Sequence, residues 1–485
     1  MMKHVKLTAL ALAGSALLAA CADDPVAPAL SPDVATYETG TSRDGIDIDA
    51  LRAQVPGKHV VVFRGRAPAD FEAQVTALGG TVSLNHETGI AVVLGLDEAG
   101  ASQLRARVGA QYVESMAALQ LISPAAIAQP ERGLGSAMQA GDAVSSANNP
   151  AAAILFSRQW NLRQVHAPEA WAAGRLGSPS VTVAILDTGI DYGLPDLAGL
   201  VDLGRSTSFE PLDDLITSIV FPGRHPSTDL HYHGTNVATQ VSSNAWAFAG
   251  VTSKTTLMSV KVCSAFGGCH GVIEGILYAI DNGADVINMS LGGWFRKSAF
   301  PGQVAAYNAI MNYAKQQGVT IVVAAGNDAN DLDRQHNIAI KDERGDIVDR
   351  VHIPSFFATY CDATHVICVS STRMENAPSS FTNYGRSAID VAAPGGDVGE
   401  WVYALCPQTS FLYFCEDGYY VFGVAGTSQA TPHVAGLAAL AVEDVGRNPA
   451  QVRAYIRNSA DPIAGGNSAY YGKGRINVAR AVGAN

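Results

Sequence analysis

Gly426-Thr427-Ser428-Gln429-Ala430-Thr431-Pro432-His433-Val434-Ala435-Gly436 is the stretch on which the reading of this chain turns. Gly426 and Thr427 predict a bend suited to a residue without a Cβ. Val434 to Val442 is a small, apolar run too long for a strand, so a helix is expected to begin at Ser428. Pro432 then falls in or just past the first turn, where a missing backbone N–H does least harm. A serine hydroxyl at a helix N-terminus faces unpaired N–H groups and the positive end of the helix dipole. Negative charge on a substrate oxygen is well placed there. An ordinary serine N-cap fits the same residues. What separates the two is whether the chain supplies a base, an orienting acid and an oxyanion donor.

Upstream, Val181-Thr-Val-Ala-Ile-Leu186 is nearly continuous in apolar residues, as in a strand covered on both faces. Leu257 to Val262, Val286 to Met289 and Val319 to Ala324 repeat that character, with helical patterns between them at Gly271 to Asn282 and Val304 to Gln317. The alternation predicts an α/β fold, a mainly parallel sheet with helices on both faces. Ligands in such sheets bind at the carboxyl ends of the strands. Asp187 directly follows the first strand, in Asp187-Thr188-Gly189. An aspartic protease would need a second such carboxylate to share its proton, and no second Asp-Thr-Gly or Asp-Ser-Gly is present. His233 opens His-Gly-Thr-Asn-Val-Ala, a helix entry that would hold the ring on a rigid element, with His231 two residues before it. Asn327 closes Val322-Val-Ala-Ala-Gly-Asn327, and its amide could donate to a developing oxyanion.

At 485 residues the chain is long enough for two or more folded units. It is 48% hydrophobic and 16% charged with 48 glycines, which suits a tightly turned globular core. A net charge of −12 argues against nucleic acid as a partner. Lys3, His4 and Lys6 precede the apolar run Leu7 to Leu18, too short to span a bilayer, and the segment ends in Leu18-Ala19-Ala20-Cys21. This resembles a bacterial lipoprotein signal (residues 1–21) in which Cys21 is lipidated; a plain secretory cleavage is the alternative, and both readings place the protein outside the cytoplasm. Cys263, Cys269, Cys361, Cys368, Cys406 and Cys415 remain, an even number that reads as three disulfides in an exported chain. The sequential local pairs are favoured because each closes one short, turn-rich loop; a zinc site using His270 beside Cys269 is the competing reading.

Residues 22–57, rich in Asp, Pro, Ala and Thr, read as a disordered tether. Residues 58–122 carry the order β-α-β-β-α-β, which predicts a small α+β ferredoxin-like sandwich. Residues 123–153 are dominated by Ala, Gly, Ser, Asn and Gln and read as an exposed linker open to proteolysis. Residues 154–485 form the main domain.

Taken together, Asp187-Thr-Gly, His233-Gly-Thr, Ala325-Gly-Asn327 and Gly426-Thr-Ser428-Gln-Ala-Thr-Pro-His resemble, in this order, the subtilisin-like serine proteases, or subtilases. Gln159-Trp160-Asn161-Leu162 resembles the family's mature N-terminal segment, and Tyr471-Gly-Lys-Gly-Arg-Ile-Asn477 its closing strand. The resemblance implies a serine endopeptidase with Ser428, His233 and Asp187 as triad and Asn327 as oxyanion donor. It also implies a cleft lined by Ser290, Leu291, Gly292 and Gly293 on one wall and Ala324, Ala325 and Gly326 on the other. The 58–122 unit would be an inhibitory propeptide acting within its own chain, the partners protein or peptide substrates, and the enzyme a monomer touching the membrane only through its lipid. The chemistry would require no cofactor, and Asp196 matches a structural calcium ligand of the family. Three residues depart from the family pattern: Asn236 stands where a second histidine is usual, Thr239 where glycine is usual, and Gln429 where methionine is commonest. Segments 199–230 and 328–352 are longer than in compact members. An α/β-hydrolase esterase is excluded by its need for Gly-x-Ser-x-Gly and the order Ser, Asp, His. A catalytically silent surface protein on the same scaffold is the non-enzymatic alternative.

Overall fold

The computed structural model describes residues 48–117, 119–120, 125–128, 131, 145–293, 295–333, 337–341, 347–352, 356–357, 360–411, 415 and 418–484. The signal segment with Cys21, most of the tether, and residues 123–124, 129–130 and 132–144 of the linker lie outside the described residues.

A seven-stranded sheet forms the centre, in the order Val391–Pro394, Val366–Thr372, Thr320–Ala324, Val286–Met289, Thr182–Asp187, Thr256–Lys261 and Thr207–Ser208. Every neighbouring pair is parallel. Thr182–Asp187 is buried along its whole length because helices cover both faces. Val272–Asp281 and Pro301–Gln316 pack on one face, and His233–Val241, Thr427–Val445 and Pro449–Ser459 on the other. From Thr182–Asp187 the chain builds outward in both directions, so a crevice opens at the carboxyl end of that strand. Asp187 stands at its mouth.

Sequence and structure part company at the end of the chain. Tyr471 to Asn477, expected to close the sheet as a strand, meets the sheet through single bridges, Gly472 with Val391 and Arg475 with Ala392, and Arg475 also bridges to Asp461. Gly472 at φ +56° and Gly474 at φ +140° break the extended backbone that a strand requires. The longer segment 199–230 contains the helix Pro211–Val220, and 328–352 contains the hairpin Asn337–Lys341 with Ile347–His352.

An antiparallel sheet lies before the main domain, in the order Thr81–Asn85, Ile90–Leu94, Lys58–Val62, Tyr112–Ser115, with the helices Phe71–Thr76 and Glu98–Val108. Strand alternation sorts its two faces. Val61, Ala91 and Val93 face its own helices, while Val60, Val62, Ile90 and Val92 join the core beneath Val272–Asp281 and Pro301–Gln316. Polar contacts frame this junction. Lys58 Nζ donates to Glu274 Oε1 at 3.0 Å, His86 Nε2 lies 3.0 Å from Asp281 Oδ2, and Glu114 accepts from Gly302 N and Gln303 N at 3.1 Å. Glu114 thus supplies negative charge to the N-terminus of the Pro301–Gln316 helix.

Beyond this unit, Leu119–Gln120 pairs antiparallel with Gly268–Cys269, and Ala126–Ile127 pairs antiparallel with Val421–Ala425. The second pairing falls inside the segment expected to be exposed. Its composition offers little side chain to bury, but backbone groups suffice to satisfy an open strand edge. Disulfides join Cys263 to Cys269, Cys361 to Cys368 and Cys406 to Cys415. Among the described residues, no helix is long and apolar enough to cross a membrane.

Asp213 ties the inserted helix Pro211–Val220 to the sheet. It is fully buried, accepts from Ala265 N at 3.0 Å and pairs with the equally buried Lys261 Nζ at 3.3 Å. Asp213→Ala should therefore lower the unfolding free energy by about 3–5 kcal/mol, because it strands a buried ammonium. Adding Lys261→Met should recover much of that loss in chemical denaturation.

Candidate active site

Asp187, the last residue of its strand, is fully buried. His233 is the first residue of the helix His233–Val241. Two glycines let these elements meet. Gly189 has φ +103°, and a Cβ on Gly234 would lie 2.1 Å from Gly189 O. The approach allows His233 Nδ1 to donate to Asp187 Oδ1 at 2.8 Å. Thr188 N donates to the same oxygen at 2.8 Å.

Asp229, which sequence reasoning missed, clamps the junction from below. Its oxygens accept from Thr188 Oγ1 at 2.9 Å, His231 N at 2.9 Å, Thr235 N at 2.9 Å and Thr235 Oγ1 at 2.6 Å. Burial pushes its carboxyl up to about 6, against the pull of these donors. The signal available in sequence was an acid four residues before His233, between two threonines that only the fold brings to it. His231, stacked on Tyr232, is held neutral because burial lowers its pKa well below the usual histidine value.

Ser428 is the second residue of the helix Thr427–Val445. Gly426 precedes it with φ 174° and ψ 162°, an extended conformation open to any residue, so the expected glycine bend is absent. Space is the reason for glycine instead. A Cβ there would lie 2.9 Å from Gln429 Oε1, 3.0 Å from Ser428 Oγ and 3.2 Å from Asn327 Nδ2, filling the volume these atoms enclose. Pro432 lies inside the helix and cannot donate to the carbonyl four residues back. That carbonyl, Ser428 O, accepts from Ser290 Oγ at 2.8 Å. The proline thus frees an acceptor that ties the nucleophile's backbone to the Ser290 wall.

Asn327 Oδ1 accepts from Thr427 N at 2.9 Å and Thr427 Oγ1 at 2.8 Å. With its oxygen so held, the amide presents Nδ2 toward the Ser428 side. Asn383 fixes the loop, donating through N to Gly326 O and through Nδ2 to Ala325 O, both at 2.9 Å. Ala324, Ala325, Gly326, Ser290, Leu291 and Gly292 are buried and Gly293 is half-buried. The structure thus brings Asp187 into hydrogen bond with His233 and sets Asn327 beside Ser428. It does not join Ser428 to His233. Ser428 Oγ donates to Gln429 Oε1 at 3.2 Å, and His233 Nε2 is buried without a hydrogen-bond partner among the described residues.

Asp196, the expected calcium ligand, is held by the backbone. Its Oδ1 accepts from Trp246 N at 2.9 Å and Ala247 N at 2.8 Å, and its Oδ2 from Phe248 N at 3.1 Å. Burial raises its carboxyl to about 7 despite these donors.

The Subtilase family profile matches residues 178–483. Thermitase of Thermoactinomyces vulgaris is 34% identical over 328 residues, covering 67% of this chain and 96% of thermitase. Subtilisin E of Bacillus subtilis is 31% identical over 328 residues, 66% of this chain and 70% of subtilisin E. The crystal structure of an epidermin leader peptide processing serine protease from Staphylococcus aureus shares the fold, with a TM-score of 0.66 at 22% identity over 88% of this chain and 97% of that one.

The surroundings of Asp196 generate a test. Asp196→Asn turns an amide toward N–H donors and should cost about 1–3 kcal/mol. The loss should be equal in calcium and in chelator; a loss confined to calcium-containing buffer would show a cation ligand instead. Thermal melting under both conditions measures it.

Proposed function

Because this chain belongs to the subtilase family, and so is a serine endopeptidase, we propose that Ser428, His233 and Asp187 carry out its peptide-bond hydrolysis. One observation carries the assignment: His233 Nδ1 donates to Asp187 at 2.8 Å. The bond fixes the tautomer, so the lone pair lies on Nε2, the atom that must take a proton. On this reading the Ser428 hydroxyl turns from Gln429 to His233 Nε2 and attacks the scissile carbonyl. His233 accepts the proton and returns it to the leaving amine, while Asp187 stabilises the imidazolium. The Asn327 amide and the Ser428 backbone N–H meet the oxyanion. These steps draw on side chains and backbone alone.

An extended peptide would lie between Ser290–Gly293 and Ala324–Gly326. Support for strand-like binding comes from the chain itself, which adds Leu119–Gln120 and Ala126–Ile127 as strands to edges near the site. The Ala126–Ile127 partner, Val421–Ala425, leads directly into Ser428. The 58–122 unit acts, in this proposal, as a ferredoxin-like inhibitory propeptide. Its β-α-β-β-α-β order, its sheet order and its polar ties through Lys58, His86 and Glu114 support that role. The protein is made as a zymogen, is exported, and cuts itself between Ser123 and Ala153. If Cys21 carries lipid, that cut leaves the anchor on the small fragment and frees the large one, a monomeric enzyme acting on protein substrates.

The Ser428–Gln429 bond, turned away from His233, is the one feature that a catalytically silent scaffold would share, and a single experiment separates the two. A fluorophosphonate probe should label the wild type and not Ser428→Ala. Wild type should also yield a soluble large fragment lacking Cys21 and a small lipidated one, with Ser428→Ala remaining a single chain. No labelling after removal of the N-terminal unit would sink the protease reading. Asn327→Leu should lower kcat on the order of a hundredfold with little change in KM, the effect known for a subtilisin oxyanion donor rather than a value particular to this chain.

A further inference from the structure

Three buried side chains form a directed chain that ends on the nucleophile. Asn236 Nδ2 donates to Val402 O at 3.4 Å, and a carbonyl can only accept. That fixes the Asn236 amide with Oδ1 on its other side. Gln429 Nε2 donates to that Oδ1 at 3.4 Å, which in turn fixes Gln429 Oε1 toward Ser428. Ser428 Oγ donates to Gln429 Oε1 at 3.2 Å. Every donor therefore points the same way, from Ser428 toward Val402 and away from His233. Ser428 and Gln429 are fully buried and Asn236 is 1% exposed, so water offers these groups no easy substitute. The backbone at Gln429 is held as well. His433 Nδ1 donates to Gln429 O at 2.8 Å, its other nitrogen meets Asn161 Nδ2 at 2.8 Å, and burial lowers its pKa to about 4, keeping it neutral.

Asn236 and Gln429 are both positions where the chain departs from the subtilase pattern, and they lie 193 residues apart in sequence. Their contact makes the two departures one device. Resting on the triad assignment above, we propose that Gln429, oriented by Asn236, is a positioning residue that holds the Ser428 proton away from His233 in the resting enzyme. Substrate attack then has to break the Ser428–Gln429 bond before the proton can pass to Nε2. No atom is gained or lost; the serine hydroxyl exchanges one acceptor for another.

The test uses full-length protein and its wild-type and variant rates of fluorophosphonate labelling. Gln429→Met should label about two- to tenfold faster, the range for one neutral hydrogen bond, a gain that the loss of a merely structural contact would not give. Asn236→Ala should act in the same direction by releasing the Gln429 amide. The double variant should gain no more than the larger single effect. Melting curves identify any variant that fails to fold, and each single variant tests the proposal by itself. Variants that fold but keep the wild-type rate, or that label more slowly, overturn it. A wild type that does not label even after removal of the N-terminal unit fails the triad assignment, which is a separate outcome.

Discussion

The 2.8 Å hydrogen bond between Asp187 and His233 depends on two elements that would ordinarily stand apart, the end of a parallel strand and the start of a helix. Gly189 and Gly234 let their backbones nearly touch, and a single Cβ at Gly234 would separate them. Asp229 then holds both from beneath, through Thr188 on the strand side and Thr235 on the helix side. The sheet order supplies the rest, because the strand ending in Asp187 is the one from which neighbours build outward both ways. The serine helix, on the same face as the His233 helix, and the Asn327 loop, after the strand two places from that of Asp187, reach the same crevice. Displacing the Asp187–His233 junction would leave both without a base to work with.

Glycine and proline act here through what they omit. Gly426 leaves open a volume bordered by Ser428 Oγ, Gln429 Oε1 and Asn327 Nδ2. Pro432 withholds one N–H, and Ser290 takes the carbonyl it leaves. At Asp196 the chain works in the opposite sense, bringing its own N–H groups to a carboxylate for which the resemblance suggested a metal. In each case the backbone sets the electrostatic character of the site.

Much of this was legible because of how the strands are buried. Val181 to Leu186 and Val319 to Ala324 carry apolar runs broken only by one threonine each, the pattern forced on strands covered on both faces. The shorter Val391–Pro394, with two alanines and a proline, carried no such signal. Asp187, His233, Asn327 and Ser428 stood out because each follows or opens a recognisable element. Other features depend on contacts between distant residues. Asp229 looks like a loop acid until Thr188 and Thr235 are brought to it. Asn236 and Gln429 were visible as departures, but nothing in their spacing says that they touch. Gly426 was expected to be glycine for conformational reasons, and the structure gives a steric one.

The strand Ala126–Ile127 and the sheet built on Lys58–Val62 belong to the same chain as Ser428, so their hold on the main domain does not depend on how much protein is present. Cutting the chain between them and the serine helix would change the molecularity of that hold. An intramolecular contact has an effective concentration set by the connecting chain, whereas a severed fragment has only its bulk concentration. On the propeptide reading proposed above, dilution after such a cut would favour an open cleft. Fragments crowded together would remain paired, and on that reading the enzyme would come into action as it spreads.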